Sequence, residues 1–534
     1  MHPTLLIHNA SILADPTHPD AARAQAIAIF RDRVAALGDD LTLLALAGPD
    51  TEMVNAGGRL VLPGFVDSHI HLYDAAMRRH EVELAGTHTL DEALARVAAH
   101  RESTPPGAWI VGGGWDHHAW GQTAMPTRHA LDQIVPDHPV ALNRMDGHTF
   151  WLNSRALERC ALGPGTQPPE GGAIDREPDG YPSGIVREHA MQLVYDRIGL
   201  PGEELLAERL TELVGALHRL GLTGAHDQRV RAEGPLMWRV LQRLRREGRL
   251  TLRTTTNIVP LQLPHLVAAG LQSGFGDDWL RLGWLKLFAD GTLGSRTALM
   301  LEPFEGEPDN LGMGLHSTEE IYAWAHQAAA AGIATTIHAI GDRANRQVLN
   351  LFAELRERYG HALRHKIEHV QLIHPTDLRR LADLDVAASM QIIHLADDWQ
   401  PAERFWGARA RYAYALRSLL ASGATLALGS DAPVASPNPM WGLFTALTRQ
   451  DLHGRPPAGW YPHERLTIHQ AIAAYTVGPA RVAGNDDRLG RLLPGFLADL
   501  IILDRDVTAV EPAAIKDTEC CLTVVGGRAV YRTL

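Results

Sequence analysis

The middle of this chain alternates short apolar runs with stretches of helical spacing. After a first run through Val61, Leu62, Phe65 and Val66, read as one buried parallel strand, seven more strand candidates follow: Gly221–Asp227, Thr251–Val259, Arg281–Phe288, Ala334–His338, His365–His369, Val386–Gln391 and Thr425–Asp431. Between them, Glu203–Leu220 and Thr318–Ala331 repeat apolar residues at i, i+3 and i+4. Eight such units predict an α/β fold, a (β/α)8 TIM barrel whose working groups sit at the C-terminal ends of the strands. The interval of roughly residues 75–220 is far too long for one crossover helix and is rich in Trp, Gly, Pro and His, so it reads as a subdomain inserted after the first barrel strand. Both chain ends carry short β-like runs punctuated by Asp and Gly, with Gly526-Gly527 placed as a hairpin turn. The expected division is a composite β-domain of residues 1–60 and 485–534 beside a barrel of residues 61–484.

At 534 residues the chain exceeds one ordinary domain but suits a large barrel with a companion. A formal net charge of −12 argues against nucleic acid or an anionic membrane as the main partner. Three cysteines, two of them adjacent, cannot form a disulfide framework and point to a reducing, cytoplasmic setting. Met1 to Asp15 lacks the pattern of a signal peptide, and no apolar run reaches the ~18 residues of a membrane span.

The first strand ends in His69-Ile70-His71. Alternation on a strand puts both imidazoles on one face, about 6–7 Å apart, where they can grip one metal ion. Taken singly, the other polar residues at strand ends have ordinary explanations. A lysine such as Lys286 is more often salt-bridged, and His338 and His369 would be hydrogen-bonded histidines. Asp431 would be a helix N-cap. Together they deliver candidate ligands from the first, fourth, fifth, sixth and eighth strands to one rim, and that joint pattern points to a metal centre. Lys286 lies inside the apolar run Trp284–Phe288, where an unpaired ammonium costs several kcal/mol, so it needs a partner or a modification.

Pro63-Gly64-Phe65-Val66-Asp67-Ser68-His69-Ile70-His71 resembles the signature that opens the barrel in the metal-dependent amidohydrolase superfamily. Further motifs are similar to the branch containing N-substituted formamide deformylases. These are Gly114-Trp115-Asp116, Asp146-Gly147-His148 with Asn153, Lys286 to Asp290-Gly291, His338-Ala339-Ile340-Gly341-Asp342, Ile367-Glu368-His369, Gly429-Ser430-Asp431-Ala432-Pro433, and Gly490 to Leu500. The last resembles the segment with which these enzymes re-enter a β-sandwich. The resemblance runs nearly end to end. It implies one or two divalent ions, usually zinc, with His69, His71 and Asp431 on one, His338 and His369 on the other, and Lys286, carboxylated by CO2, bridging them. In Gln391-Ile392-Ile393-His394, isoleucine stands where the family has proline, which touches the seventh-strand loop.

The expected reaction is hydrolysis of a non-peptide C–N bond in a small molecule, an amide, formamide or cyclic amide, by a metal-activated hydroxide with Asp431 as general base. Trp115, His148, Arg296 and His394 are the candidate substrate contacts, though the tryptophans read equally well as subdomain core and Arg296 as a loop brace. Two other classes share the pattern: a metal-dependent deaminase of a nucleobase-like ring, which the fourth-strand lysine disfavours, and a non-catalytic binding scaffold, which would have lost ligands. A homodimer is common in the family resembled.

Overall fold

A computed structural model of the chain describes residues 2–145, 147–229 and 233–534. It contains two compact units, residues 1–75 with 207–534, and residues 76–206.

The first unit holds the (β/α)8 barrel. Its strands are β1 (Phe65–Ile70), β2 (Leu222–Asp227), β3 (Arg253–Ile258), β4 (Leu280–Phe288), β5 (Thr335–Ala339), β6 (Lys366–His369), β7 (Ala387–Met390) and β8 (Leu426–Leu428). Neighbours in sequence are neighbours in the sheet, all parallel. Strands covered on both faces carry near-continuous apolar runs, which is why seven of them stood out from the sequence alone. The ring closes just beyond β8, where the Asp431 amide donates to the His69 carbonyl at 2.7 Å and the His71 amide to the Ala432 carbonyl at 2.9 Å. Only glycine fits at 429: a Cβ there would stand 2.6 Å from the His69 amide nitrogen and 2.7 Å from Asp67 Oδ1.

The first apolar run is not one strand. Leu60–Pro63 pairs antiparallel with Leu500–Leu503 in a separate five-stranded sheet, and only after Gly64 does the chain enter the barrel as β1. Both halves are apolar because both are buried, so hydropathy cannot mark the break. That five-stranded sheet (Ser11–Ile12, Leu60–Pro63, Leu500–Leu503, Cys520–Val525, Arg528–Arg532) faces a four-stranded one (Arg33–Gly38, Ala26–Phe30, Leu5–His8, Glu52–Asn55). Leu5, Ile7, Ile27 and Ile29 from one sheet and Val61, Leu500, Ile502 and Leu522 from the other bury one another, a β-sandwich built from both ends of the chain. Its final hairpin turns on Gly526-Gly527, both at positive φ, as a two-residue turn matched to the strand twist requires.

The second unit is a six-stranded sheet in the order Gly172–Arg176, Pro182–Glu188, Thr149–Leu152, Val140–Arg144, Ile110–Trp115, Val82–Glu83. Helices including Leu90–Ser103, Arg128–Ile134 and Ser154–Arg159 pack on it, and a cluster of Trp115, Trp120 and Trp151 fills one side. Among the described residues no helix is long and apolar enough to cross a membrane.

Candidate metal centre

The C-terminal ends of β1, β6 and β8 bring their side chains together. His69 Nε2 stands 3.2 Å and His71 Nε2 2.8 Å from Asp431 Oδ1, with the two rings 5.3 Å apart. The second His, at the start of the helix after β1, is still 14% exposed at its side chain, whereas His69 is buried. Imidazole nitrogens and a carboxylate oxygen packed this closely repel through their lone pairs unless a proton or a cation lies among them. A second group of three, His369, His394 and Asp431, brings one ligand atom from each within the same short range, so Asp431 belongs to both. His369 and Asp431 adopt left-handed backbone, φ 74° and 63°, the sort of strain that persists where surrounding structure enforces a working geometry.

Three of the histidines have one nitrogen already committed. His69 Nδ1 lies 2.7 Å from Glu368 Oε2, which leaves Nε2 facing the centre. His338 Nε2 donates to the Gly291 carbonyl at 3.0 Å, leaving Nδ1 as the nitrogen available for a ligand bond. Its ring lies 4.5 Å from that of His369. His394 Nε2 is 3.2 Å from the Ser430 carbonyl.

Burial sets the charges. Lys286 is fully buried on β4, and its Nζ meets no hydrogen-bond acceptor among the described residues; it lies 4.9 Å from the centre of the Phe288 ring. Loss of water pulls its ammonium down to about 8, although Glu368 and Asp431 pull the other way. Burial, with repulsion from Lys286, drops His338 to about 4. His369 is likewise pushed well down by burial and by the two histidines beside it. For Asp431, burial favours the neutral acid, but His69 and His71 outweigh it and hold the carboxyl well below its usual range. The site thus combines two imidazoles kept neutral by burial, His338 and His369, a His69 ring that Glu368 and Asp431 push up against its burial, an ionised Asp431 and an amine without a hydrogen-bond partner, groups suited to a divalent cation of the zinc type.

Two residues that sequence reasoning passed over hold this arrangement. Glu368 and Lys366, two apart on β6, both point into the barrel and are fully buried. The signal was present, since two opposite charges in a four-residue buried strand raise the same difficulty that singled out Lys286. Asp67 is the third: Oδ1 accepts the amides of His69 and Ser430 at 3.0 Å and Oδ2 the Ser430 hydroxyl at 2.5 Å, pinning β1 to the end of β8.

Of the candidate substrate contacts, Trp115 and His148 belong to the second unit and Arg296 and His394 to the first. Trp115 is completely buried in the core of the second unit, its Nε1 donating to the Leu142 carbonyl at 2.8 Å. In the same unit His148 is exposed, 3.0 Å from Glu188 Oε2. Asp146 of the neighbouring motif lies outside the described residues. Arg296 is half-exposed and ion-paired with Glu307, so it braces its own loop. His394 shares a cluster with the candidate ligands His369 and Asp431.

A family model described as the amidohydrolase family matches residues 52–531. The protein LONG AFTER FAR-RED 3 of Arabidopsis thaliana is 34% identical over 99% of this chain and 91% of its own length. N-substituted formamide deformylase of Arthrobacter pascens is 27% identical over 99% of this chain and 98% of its own. Among solved structures, a metal-dependent hydrolase from Pyrococcus horikoshii OT3 matches with a TM-score of 0.81 at 28% identity, covering 95% of this chain and 99% of that one.

Proposed function

This chain belongs to the amidohydrolase family, and on that premise we propose that it is a metal-dependent hydrolase of non-peptide C–N bonds in small molecules, with amides and N-substituted formamides as the first substrates to test. The observation that carries this reading is the convergence of His69 Nε2 and His71 Nε2 on Asp431 Oδ1 at the rim of the barrel. These three would hold one ion. His369, with His338 through Nδ1 or with His394, would hold a second, and Lys286 would bridge the two as its carbamate.

Lys286 suits that modification because burial favours its free amine, the form whose nitrogen lone pair bonds to the carbon of CO2 as a proton leaves. The product carries a negative charge and two oxygens where an ammonium had no acceptor. A divalent ion of the zinc type held by these residues would supply acidified water, its pKa brought from about 15.7 to near 7, and a Lewis acid for the substrate carbonyl. Asp431, kept ionised by its histidine neighbours, takes the proton of the attacking water and returns it to the leaving nitrogen, which departs as a neutral amine. A leaving nitrogen needs that proton more than a leaving oxygen does, so a carboxylate able to carry it supports the C–N reading.

The test is a panel of N-formyl and N-acyl amines assayed with protein as purified, stripped by chelator and refilled with zinc. Turnover should vanish on stripping and return on refilling, and Asp431→Asn at saturating zinc should lose at least about a hundredfold in kcat. Ammonia released from a heterocyclic ring, with no carboxylate product from the panel, would replace this reading with deamination.

A further inference from the structure

The charges on β6 form a chain that ends on a proposed ligand. Lys366 Nζ donates to Glu368 Oε1 at 2.7 Å and to the Ser68 carbonyl at 3.0 Å, and lies 4.4 Å above the Trp284 ring. Glu368 Oε1 also accepts the Thr336 hydroxyl at 2.6 Å and the Gln228 amide at 3.3 Å. Gln228 is held in turn by Asn257 at 2.7 Å, and Asn257 by the Trp284 amide at 3.0 Å. With Oε1 occupied by three donors, Oε2 is the oxygen that meets His69 Nδ1 at 2.7 Å. All of these side chains are buried, so water offers no substitute for any bond in the chain.

We infer that Glu368 is a positioning residue that fixes the tautomer and ring orientation of His69, with Lys366 anchoring both the carboxylate and the strand that carries the histidine. A carboxylate only accepts hydrogen bonds, so the proton between Glu368 and His69 sits on Nδ1, and Nε2 is the nitrogen turned toward Asp431, the one a metal ion would take in place of a proton. Lys366 reaches the backbone of Ser68, the residue preceding His69, so one side chain ties β6 to the ligand's strand and to its orienting carboxylate together. Removing such an outer partner typically weakens metal binding by about 10–100-fold. The inference rests on the metal-centre reading above, and the two can fail separately.

The experiment is zinc affinity by chelator competition on apo-protein of the wild type, Glu368→Gln and Glu368→Asp, with the unfolding midpoint of each apo-protein measured alongside. Gln keeps the shape but loses the charge, whereas Asp keeps the charge for Lys366 but withdraws it from Nδ1. Both should weaken the affinity of one zinc per chain by about tenfold or more, beyond anything a change in apo-protein stability accounts for. Affinities within threefold of wild type in either variant would overturn the inference. A crystal structure of the zinc-loaded wild type decides it even should both variants fail to fold: zinc on His69 Nε2 with Glu368 on Nδ1 supports it, and zinc on Nδ1 refutes it. Failure of the wild type to bind divalent metal would instead remove the metal-centre reading itself.

Discussion

At the scale of single residues, this barrel tolerates titratable groups in places where water cannot reach, and each leaves a mark on pH dependence. His365, just before β6, is buried; its Nδ1 accepts the Thr335 amide at 3.1 Å and its ring stacks 4.8 Å from Phe352. Burial, helped by Arg356, depresses it to about 3. The unfolded chain, with a histidine near 6.5, therefore binds a proton that the folded chain refuses. The stability contributed by neutral His365 is complete above about pH 6.5 and falls as the pH drops toward 3, by roughly 2 kcal/mol at pH 5. Urea denaturation in the presence of chelator should show a shallower loss between pH 7.5 and 5 for His365→Asn than for the wild type. Parallel slopes would show that His365 titrates alike in both states. The same burial logic made Lys286 legible in the sequence, because a lone cation interrupts an otherwise apolar run. It did not expose Lys366 and Glu368, which cancel each other's charge and so pass for an ordinary ion pair until their depth is known. Nor could it rank the aromatic residues: Trp115 stands in a suggestive motif, yet its indole is spent on the core of its own unit.

At the scale of elements, the barrel strands were readable because a buried parallel strand must be apolar throughout, and the candidate ligands because they stand at the ends of such runs. What hydropathy could not resolve was pairing. Leu60–Pro63 and Phe65–Ile70 look continuous but belong to different sheets, because their partners, Leu500–Leu503 and Leu222–Asp227, lie far off in the chain and far from each other. The junction of β1 with the end of β8 depends on a close backbone approach at Gly429 that no side-chain pattern announces. Gly429→Ala should push His69 and Asp67 apart, costing about 1–3 kcal/mol in urea denaturation and loosening zinc retention under dialysis. Unchanged stability and retention would show that the junction has room to spare.

At the scale of the whole molecule, a buried ion pair helps tie the sandwich to the barrel inside the first unit. Arg253 on β3 contacts Asp499 through Nε at 2.5 Å and Nη2 at 2.9 Å, and Asp499 also accepts the Gly526 amide at 2.8 Å. Truncation to Ala would leave a buried guanidinium with only the Asp278 carbonyl, so Asp499→Ala should cost about 3–5 kcal/mol. The double variant with Arg253→Met should recover part of that loss. If the single variant unfolds like the wild type, the pair does not bind the two parts together.

The proposed metal centre is tested most directly by elemental analysis of protein purified without chelators, with Lys286→Ala beside it. The account predicts about two zinc-like ions per wild-type chain and fewer in the variant. About one ion per chain, unchanged by removing Lys286, would contradict the bridged site, and no ion at all would contradict the metal centre.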